Sequence, residues 1–437
     1  MLNRNPCPLT VLCSSLLLLL LAQTARARQG LSAEDSSSKP LIERLDVFYL
    51  AKSRGFRLES HRIVTEDQYI LNVHRLVNPL AGQLKGLVIL QHGILCASPF
   101  FLMNSSPNLD RPSRENATTS NSIAIALANS GHDVWLTNFR GTNYSRGHLS
   151  SRHNYDNNRY WDFNVDTLIE QDLKAYVNYI LLYTNKPNYT FIGHSLGATV
   201  GLGSLLVHQN TSITKRLSCS ILMAPVASTK YMKGSLLTLF RMASLIYNDP
   251  APFPGATATF SAYIRQICFL MPRICTWLAS MVIGAKQGDI RNIELSAPNE
   301  MEFQNQVNSF VLMMHQSVSI QMLKHIIQVH LSGRLSRFNY GSELNRALYG
   351  RKLAPIYDLT QIHEPKLSLA IINGPSDAIS TPGEVSWISE QVSDRVGHFE
   401  RITTEADPFN HMDLVLSKDA GRLVNSKIVE FIERNKC

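Results

Sequence analysis

The sequence predicts an α/β protein with a mainly parallel sheet, helices on both faces and an inserted helical cap. Short apolar runs alternate with helix-length stretches as far as Val226, the rhythm then stops for about 130 residues, and it resumes near Lys366. The chain has 437 residues, 44% of them hydrophobic, enough for a sizeable packed core.

Residues 61–76 place β-rich Ile63-Val64-Thr65 and Tyr69-Ile70-Leu71 on either side of Glu66-Asp67-Gln68, a hairpin pattern. The run 87–90 stops at His92-Gly93 and reads as the next strand. Residues 122–130 form a helix pattern closed by Gly131, a residue suited to the left-handed cap, with a strand over 133–136. Helix 166–184, strand 189–192, helix 197–208 and strand 221–223 continue the alternation. After the break, apolar residues from Leu236 to Ile246 fall at helical spacing. A second apolar stretch, 260–285, is interrupted by Arg265, Pro272 and Arg273 and so is no bilayer span. Strands 367–372 and 399–404 and a helix from 420 to about 433 complete the pattern, with no internal repeat. The division is a core of 41–226 and 366–437 with a cap of 227–365.

Arg4, an apolar run over 11–22 and the small-residue site Ala25-Arg26-Ala27 make residues 1–27 a secretory signal peptide, followed by a Ser-rich linker or propeptide over 28–40. Sequons at Asn104, Asn116, Asn143, Asn188 and Asn210 are candidate glycan sites and agree with export, either to the outside or to a lysosome. Cys7 and Cys13 leave with the signal. Among the five remaining cysteines, Cys268 and Cys275 are the close pair that an oxidising lumen would join, and the odd count leaves at least one cysteine unpaired or bonded elsewhere. A net charge of +8 without a block of five like charges argues against a nucleic-acid partner, and no Cys/His spacing resembles a metal site.

The sharpest chemical signal is Gly193-His194-Ser195-Leu196-Gly197, which follows a strand and opens a helix rich in small residues. A nucleophile needs that setting: a tight turn without crowding Cβ atoms lifts the Ser195 hydroxyl clear of the sheet. A serine hydroxyl is a weak nucleophile and requires a base and an orienting acid, which this architecture supplies in the order serine, acid, histidine. Asp377 and His411 lie past the last two strands and fit that order. His398 is a rival base that precedes its strand, whereas His92 and His194 read as packing residues. Backbone donors for an oxyanion belong in the loop after strand 87–90 and at the residue after the nucleophile, Leu196.

From about Val47 to Ile432 the sequence resembles the acid lipase family of α/β-hydrolases, which includes gastric and lysosomal acid lipases and insect relatives. The carriers are residues 59–65, Leu90-Gln91-His92-Gly93-Ile94-Leu95, residues 131–141, Tyr160-Trp161-Asp162-Phe163, the elbow 193–197 and Asn410-His411-Met412-Asp413. The resemblance implies an α/β-hydrolase fold with the triad Ser195, Asp377 and His411, and an oxyanion hole made by the amides of Ile94 and Leu196. It also implies a lid on the cap, and hydrolysis of triacylglycerols or cholesteryl esters at a lipid–water interface without metal or organic cofactor. Leu196 stands where the family usually has Gln, Cys96 where it has Ala or Gly, Gln68 where the hairpin has Gly, and Lys174 where the helix often has Pro. Two other readings stay open on the sequence: a catalytically silent lipid carrier on the same scaffold, and a different serine hydrolase such as a thioesterase or peptidase.

Overall fold

The computed structural model describes residues 46–104, 110–113, 120–232, 237–238, 241–242, 245, 316–406 and 409–437. Its strands are β1 (Arg57–Val64), β2 (Tyr69–Val77), β3 (Leu87–Gln91), β4 (Asp133–Leu136), β5 (Gly147–His148), β6 (Tyr189–His194), β7 (Leu217–Met223), β8 (Glu364–Asn373) and β9 (Val396–Thr403). They form one sheet in the order β1-β2-β4-β3-β6-β7-β8-β9, with β5 beside β2. Every pairing from β4 through β3 to β9 is parallel, and only the β1–β2 hairpin and its contacts with β4 and β5 are antiparallel. β3, β4 and β6 are buried along their whole lengths, as expected where helices cover both faces of a parallel sheet.

The hairpin turn is the one the sequence marked. Gln68 adopts φ 73° there, and the Thr65 hydroxyl bonds the Asp67 carboxylate at 2.5 Å. Helix α1 (Ile123–Asn129) starts at Ser122, whose side chain accepts from the Ile125 amide, and is followed by Gly131 at φ +87°. The helix expected over 166–184 is present and runs unbroken from Val165 to Thr184, with one turn wound wider than the rest. That π turn, Leu168–Leu173, lies between Val165–Thr167 and helix α2 (Lys174–Thr184), and it carries the buried Asp172 that bonds Arg140. Helix α3 (Leu196–Val207) follows β6.

β7 and β8 are neighbours, so residues 224–363 are an insertion between adjacent parallel strands. Within it, helices α4 (Ile320–Ser332) and α5 (Ser342–Tyr349) are described. Most of the expected cap, the signal peptide 1–27, the linker 28–40 and the Cys268/Cys275 pair lie outside the described residues. Helix α6 (Pro382–Val392) joins β8 to β9, an element absent from the sequence reading. The chain ends in helix α7 (Ser426–Arg434).

The core gathers Leu71, Leu87, Ile89, Trp135, Phe191 and Leu369 from the strands and Leu168, Ile180, Val200 and Ile388 from the helical segments. A disulfide from Cys219 on β7 to Cys437 ties the chain end to the sheet across 218 residues, with Cα atoms 5.7 Å apart. By loop-closure entropy such a link contributes about 5 kcal/mol. Cys96 is a free, buried thiol. Among the described residues no helix is long and apolar enough to cross a membrane.

Candidate active site

The sheet register assembles the site. β3 and β6 pair with Gln91 opposite Gly193, so the loop after β3 and the turn after β6 leave the sheet side by side. A Cβ at Gly93 would stand 3.0 Å from that of Ser195. β7, β8 and β9 continue the parallel order, so their C-terminal loops open on the same rim. Asp377 follows β8 and His411 follows β9.

Ser195 sits at φ 56°, ψ −119°, a conformation that strains any residue with a side chain. The surroundings enforce it: the Ser195 amide donates to the Met223 carbonyl at 2.9 Å, and its carbonyl accepts the Thr199 amide at 3.0 Å. The flanking glycines have no alternative. A Cβ on Gly193 would lie 2.5 Å from the Gly197 backbone, and one on Gly197 2.4 Å from the Gln91 carbonyl oxygen.

Asp377 is buried and its two oxygens have separate duties. Oδ1 accepts the amides of Ile379 and Ser380 at 2.8 and 2.9 Å, and Oδ2 lies 2.8 Å from His411 Nδ1. A carboxylate so placed fixes the hydrogen on Nδ1 and leaves Nε2 as the basic nitrogen. The Asp377 and His411 loops also clasp each other through backbone. The Ser376 amide donates to the Phe409 carbonyl at 3.1 Å, at a point where Gly374 comes so close that a Cβ would fall 2.2 Å from that oxygen.

His194 packs under the turn, its Nε2 donating to the His411 carbonyl at 3.0 Å. Burial and the neighbouring His411 push its pKa down to about 3, so it is neutral. His92 takes a similar part in the loop after β3. It accepts the Phe139 amide on Nε2, bonds the Gly93 carbonyl through Nδ1, and is pushed down to about 4 by burial. His398 lies within β9 and not ahead of it. It is half exposed, pairs with Glu400 at 3.8 Å and stacks on Phe431, away from Ser195.

Ser195 and His411 line one cavity, with Ile94, Leu95, Leu196, Val226, Ile326, Val329, Ile379 and Met412 among its walls. Leu196 is the first residue of α3, so its amide has no acceptor within the helix. Ile94 follows Gly93 on the adjacent loop, and next to it Leu95 is held at φ 59°. The loop after β7 forms another wall and is anchored by residues that sequence reasoning passed over. Thr199 Oγ1 donates to the Val226 carbonyl at 2.6 Å, Ser380 Oγ to that of Pro225 at 2.6 Å, and the buried Glu384 accepts the Ala227 and Ser228 amides at 2.9 and 2.6 Å. The one signal for Glu384 is the cap pattern Thr381-Pro382-Gly383-Glu384 at the start of α6.

Of the sequon asparagines, Asn188 and Asn210 are exposed and Asn143 is partly exposed, while Asn116 lies outside the described residues. Asn104 is partly buried, and its amide nitrogen donates to the carbonyls of Asn121, Val415 and Ser417.

The sequence matches a family model described as "Partial alpha/beta-hydrolase lipase region" over residues 47–105 and one described as "alpha/beta hydrolase fold" over 86–257. It is 28% identical over 397 residues to the gastric triacylglycerol lipase of Homo sapiens, spanning 87% of this chain and 89% of that protein. Lipase member J of Homo sapiens is 27% identical over 393 residues, spanning 87% of this chain and 97% of the relative. Lipase member K of the same species is 27% identical over 391 residues, with 87% and 88% spanned.

Proposed function

Because the chain belongs to the acid lipase family of α/β-hydrolases, we propose that it cleaves neutral lipid esters, triacylglycerols or cholesteryl esters, through a triad of Ser195, His411 and Asp377. It is a carboxylic ester hydrolase. His411 Nε2 takes the proton of Ser195 Oγ as the oxygen attacks the acyl carbonyl, and returns it to the leaving alcohol. Asp377 holds the imidazole in register and stabilises its charged form. The amides of Ile94 and Leu196 receive the oxyanion, each worth about 3–4 kcal/mol of barrier. Water then releases the acid from the acyl-enzyme.

The observation that carries this reading is the 2.8 Å bond from His411 to the otherwise saturated Asp377, in a histidine that shares an apolar cavity with Ser195. The apolar walls suit an acyl chain, whose burial contributes about 0.8 kcal/mol per CH₂. Within the insertion, α4 supplies Ile326 and Val329 to the wall of that cavity, which suits the cap expected over 227–365. A secreted or lysosomal setting fits residues 1–27, the sequons and relatives such as gastric lipase.

The test is hydrolysis of emulsified triolein and cholesteryl oleate by the glycosylated protein and its Ser195→Ala variant. Loss of turnover in the variant is expected, and normal turnover would overturn the assignment.

A further inference from the structure

Part of the wall of the Ser195 cavity comes from two stretches of chain far apart in sequence. Val165 belongs to the core, and Ile326, Val329 and Leu335 belong to the insertion. Apolar attraction is non-directional, so it does not by itself fix how such surfaces lie against each other. Directional bonds do so here, at two places. At the start of α4, Ser319 Oγ donates to the Trp161 carbonyl and Gln321 Nε2 to Asp162 Oδ1, both at 2.6 Å. Beyond the end of α4, the buried Asp166 takes one donor on each oxygen. The Tyr357 hydroxyl donates to Oδ1 at 2.6 Å, and the Phe338 amide to Oδ2 at 2.8 Å. Ile326, Val329 and Leu335 lie between these two grips in the chain.

The second grip reaches the cavity through a continuous set of bonds. Residues 335–337 and 355–357 pair as a short antiparallel ladder. In it the Tyr357 amide donates to the Leu335 carbonyl at 2.9 Å and the Arg337 amide to that of Pro355 at 2.8 Å, with Ser336 opposite Ile356. The Ser336 carbonyl accepts from His325 Nε2 at 2.7 Å, which ties the ladder to α4 beside Ile326. On the core side Asp166 follows Val165 directly, and its amide donates to Asn164 Oδ1 at 2.9 Å, the cap that starts this turn. We propose that Asp166 and Tyr357 are positioning residues for acyl binding: by fixing Leu335 and α4 against Val165 they set a preference for long acyl chains. The proposal rests on the hydrolase reading above. A long chain gains from every methylene the wall covers, and a short acyl group has few methylenes to offer it.

The test compares 4-nitrophenyl laurate with 4-nitrophenyl butyrate, each kept monomeric, and reads the ratio of their kcat/KM values in one preparation. Partial unfolding lowers the active fraction for both esters alike, so the ratio reports the wall and not stability. The wild type should favour laurate. Tyr357→Phe, which removes one hydroxyl, and Asp166→Ala, which removes both acceptors, should each lower the ratio about tenfold, the worth of roughly two buried methylenes, with the loss in KM for laurate. Asp166→Asn should keep the ratio near wild type, because its side-chain oxygen accepts the Phe338 amide while its nitrogen donates to the Tyr357 oxygen. A ratio unchanged in both Tyr357→Phe and Asp166→Ala would overturn the proposal. So would a loss in Asp166→Asn equal to that in Asp166→Ala, or a wild type without preference for laurate. Failure of the hydrolase reading would appear separately, as undiminished turnover of both esters by Ser195→Ala.

Discussion

Arg140 with Asp172, and His411 with Asp377, are two buried pairs of base and carboxylate held by the same sheet, and they differ in what they leave unused. The Arg140 side chain is fully buried. Its Nε bonds Asp172 at 2.7 Å, Nη1 bonds Asp67 at 2.5 Å, its own amide donates to Asp172 at 3.0 Å, and the Tyr69 ring packs 3.9 Å from the guanidinium carbon. Burial pulls the guanidinium pKa down, but Asp172 and Asp67 outweigh it, and the pKa stands above its ordinary value. In the other pair, Asp377 is equally enclosed, with three donors on its two oxygens. The imidazole it holds lines the Ser195 cavity and has a second nitrogen for chemistry. A saturated buried pair braces a fold, and one with a spare valence facing a cavity is available for catalysis.

That contrast is broken most sharply by swapping the consequences. Asp377→Asn should lower kcat by about 10⁴-fold, because the amide favours the wrong imidazole tautomer, while circular dichroism and denaturant midpoint stay close to wild type. Arg140→Met should do the reverse. It strands the buried Asp172 carboxylate and costs about 3–5 kcal/mol in urea unfolding, while the activity per folded molecule persists. A large stability loss in the first variant, or a large kcat loss at normal stability in the second, would erase the distinction.

Acid probes the same distinction across the whole molecule. His74, His92, His132 and His194 are driven by burial from 6.5 down to about 3, 4, 4 and 3 respectively. The unfolded chain therefore binds protons near pH 6.5 that the folded chain refuses. Their contribution to stability is complete above that pH and is lost as pH falls toward the folded values, at about 1.4 kcal/mol per pH unit for each histidine. Calorimetry from pH 7 to 4 should show a falling Tm, and His132→Leu should make the slope shallower; an unchanged slope would contradict the assignment. The smallest effect concerns the cap of α6. Thr381 accepts the Glu384 amide at 3.3 Å, and Thr381→Ala should cost about 1 kcal/mol in the denaturant midpoint.

Much of the fold was legible because its signals are local. Each parallel strand is an apolar run ended by a turn residue, and Gly193 and Gly197 are forced by contacts within one turn, so the Ser195 segment could be read from five residues. The rule of chain order then led to Asp377 and His411. What stayed hidden depends on partners distant in the chain. Nothing near Cys219 or Cys437 signals a bond across 218 residues, and the near pair Cys268 and Cys275 drew attention instead. The π turn at 168–173 coincides with the Arg140–Asp172 contact, which helical periodicity cannot reveal. His325 looks like any residue on an amphipathic helix until Ser336 claims one of its nitrogens. Helix α6 did carry a signal, Thr381-Pro382-Gly383-Glu384, which the strands on either side overshadowed.

The central claim is that the Ser195 hydroxyl is the group that accepts the acyl chain. Peptide mass spectrometry after reaction with a fluorophosphonate measures it most directly. The account requires a single adduct on Ser195 that forms in step with loss of ester hydrolysis and slows when Asp377 becomes Asn. An inactivating adduct on another residue, or full hydrolysis by protein quantitatively labelled at Ser195, would contradict it.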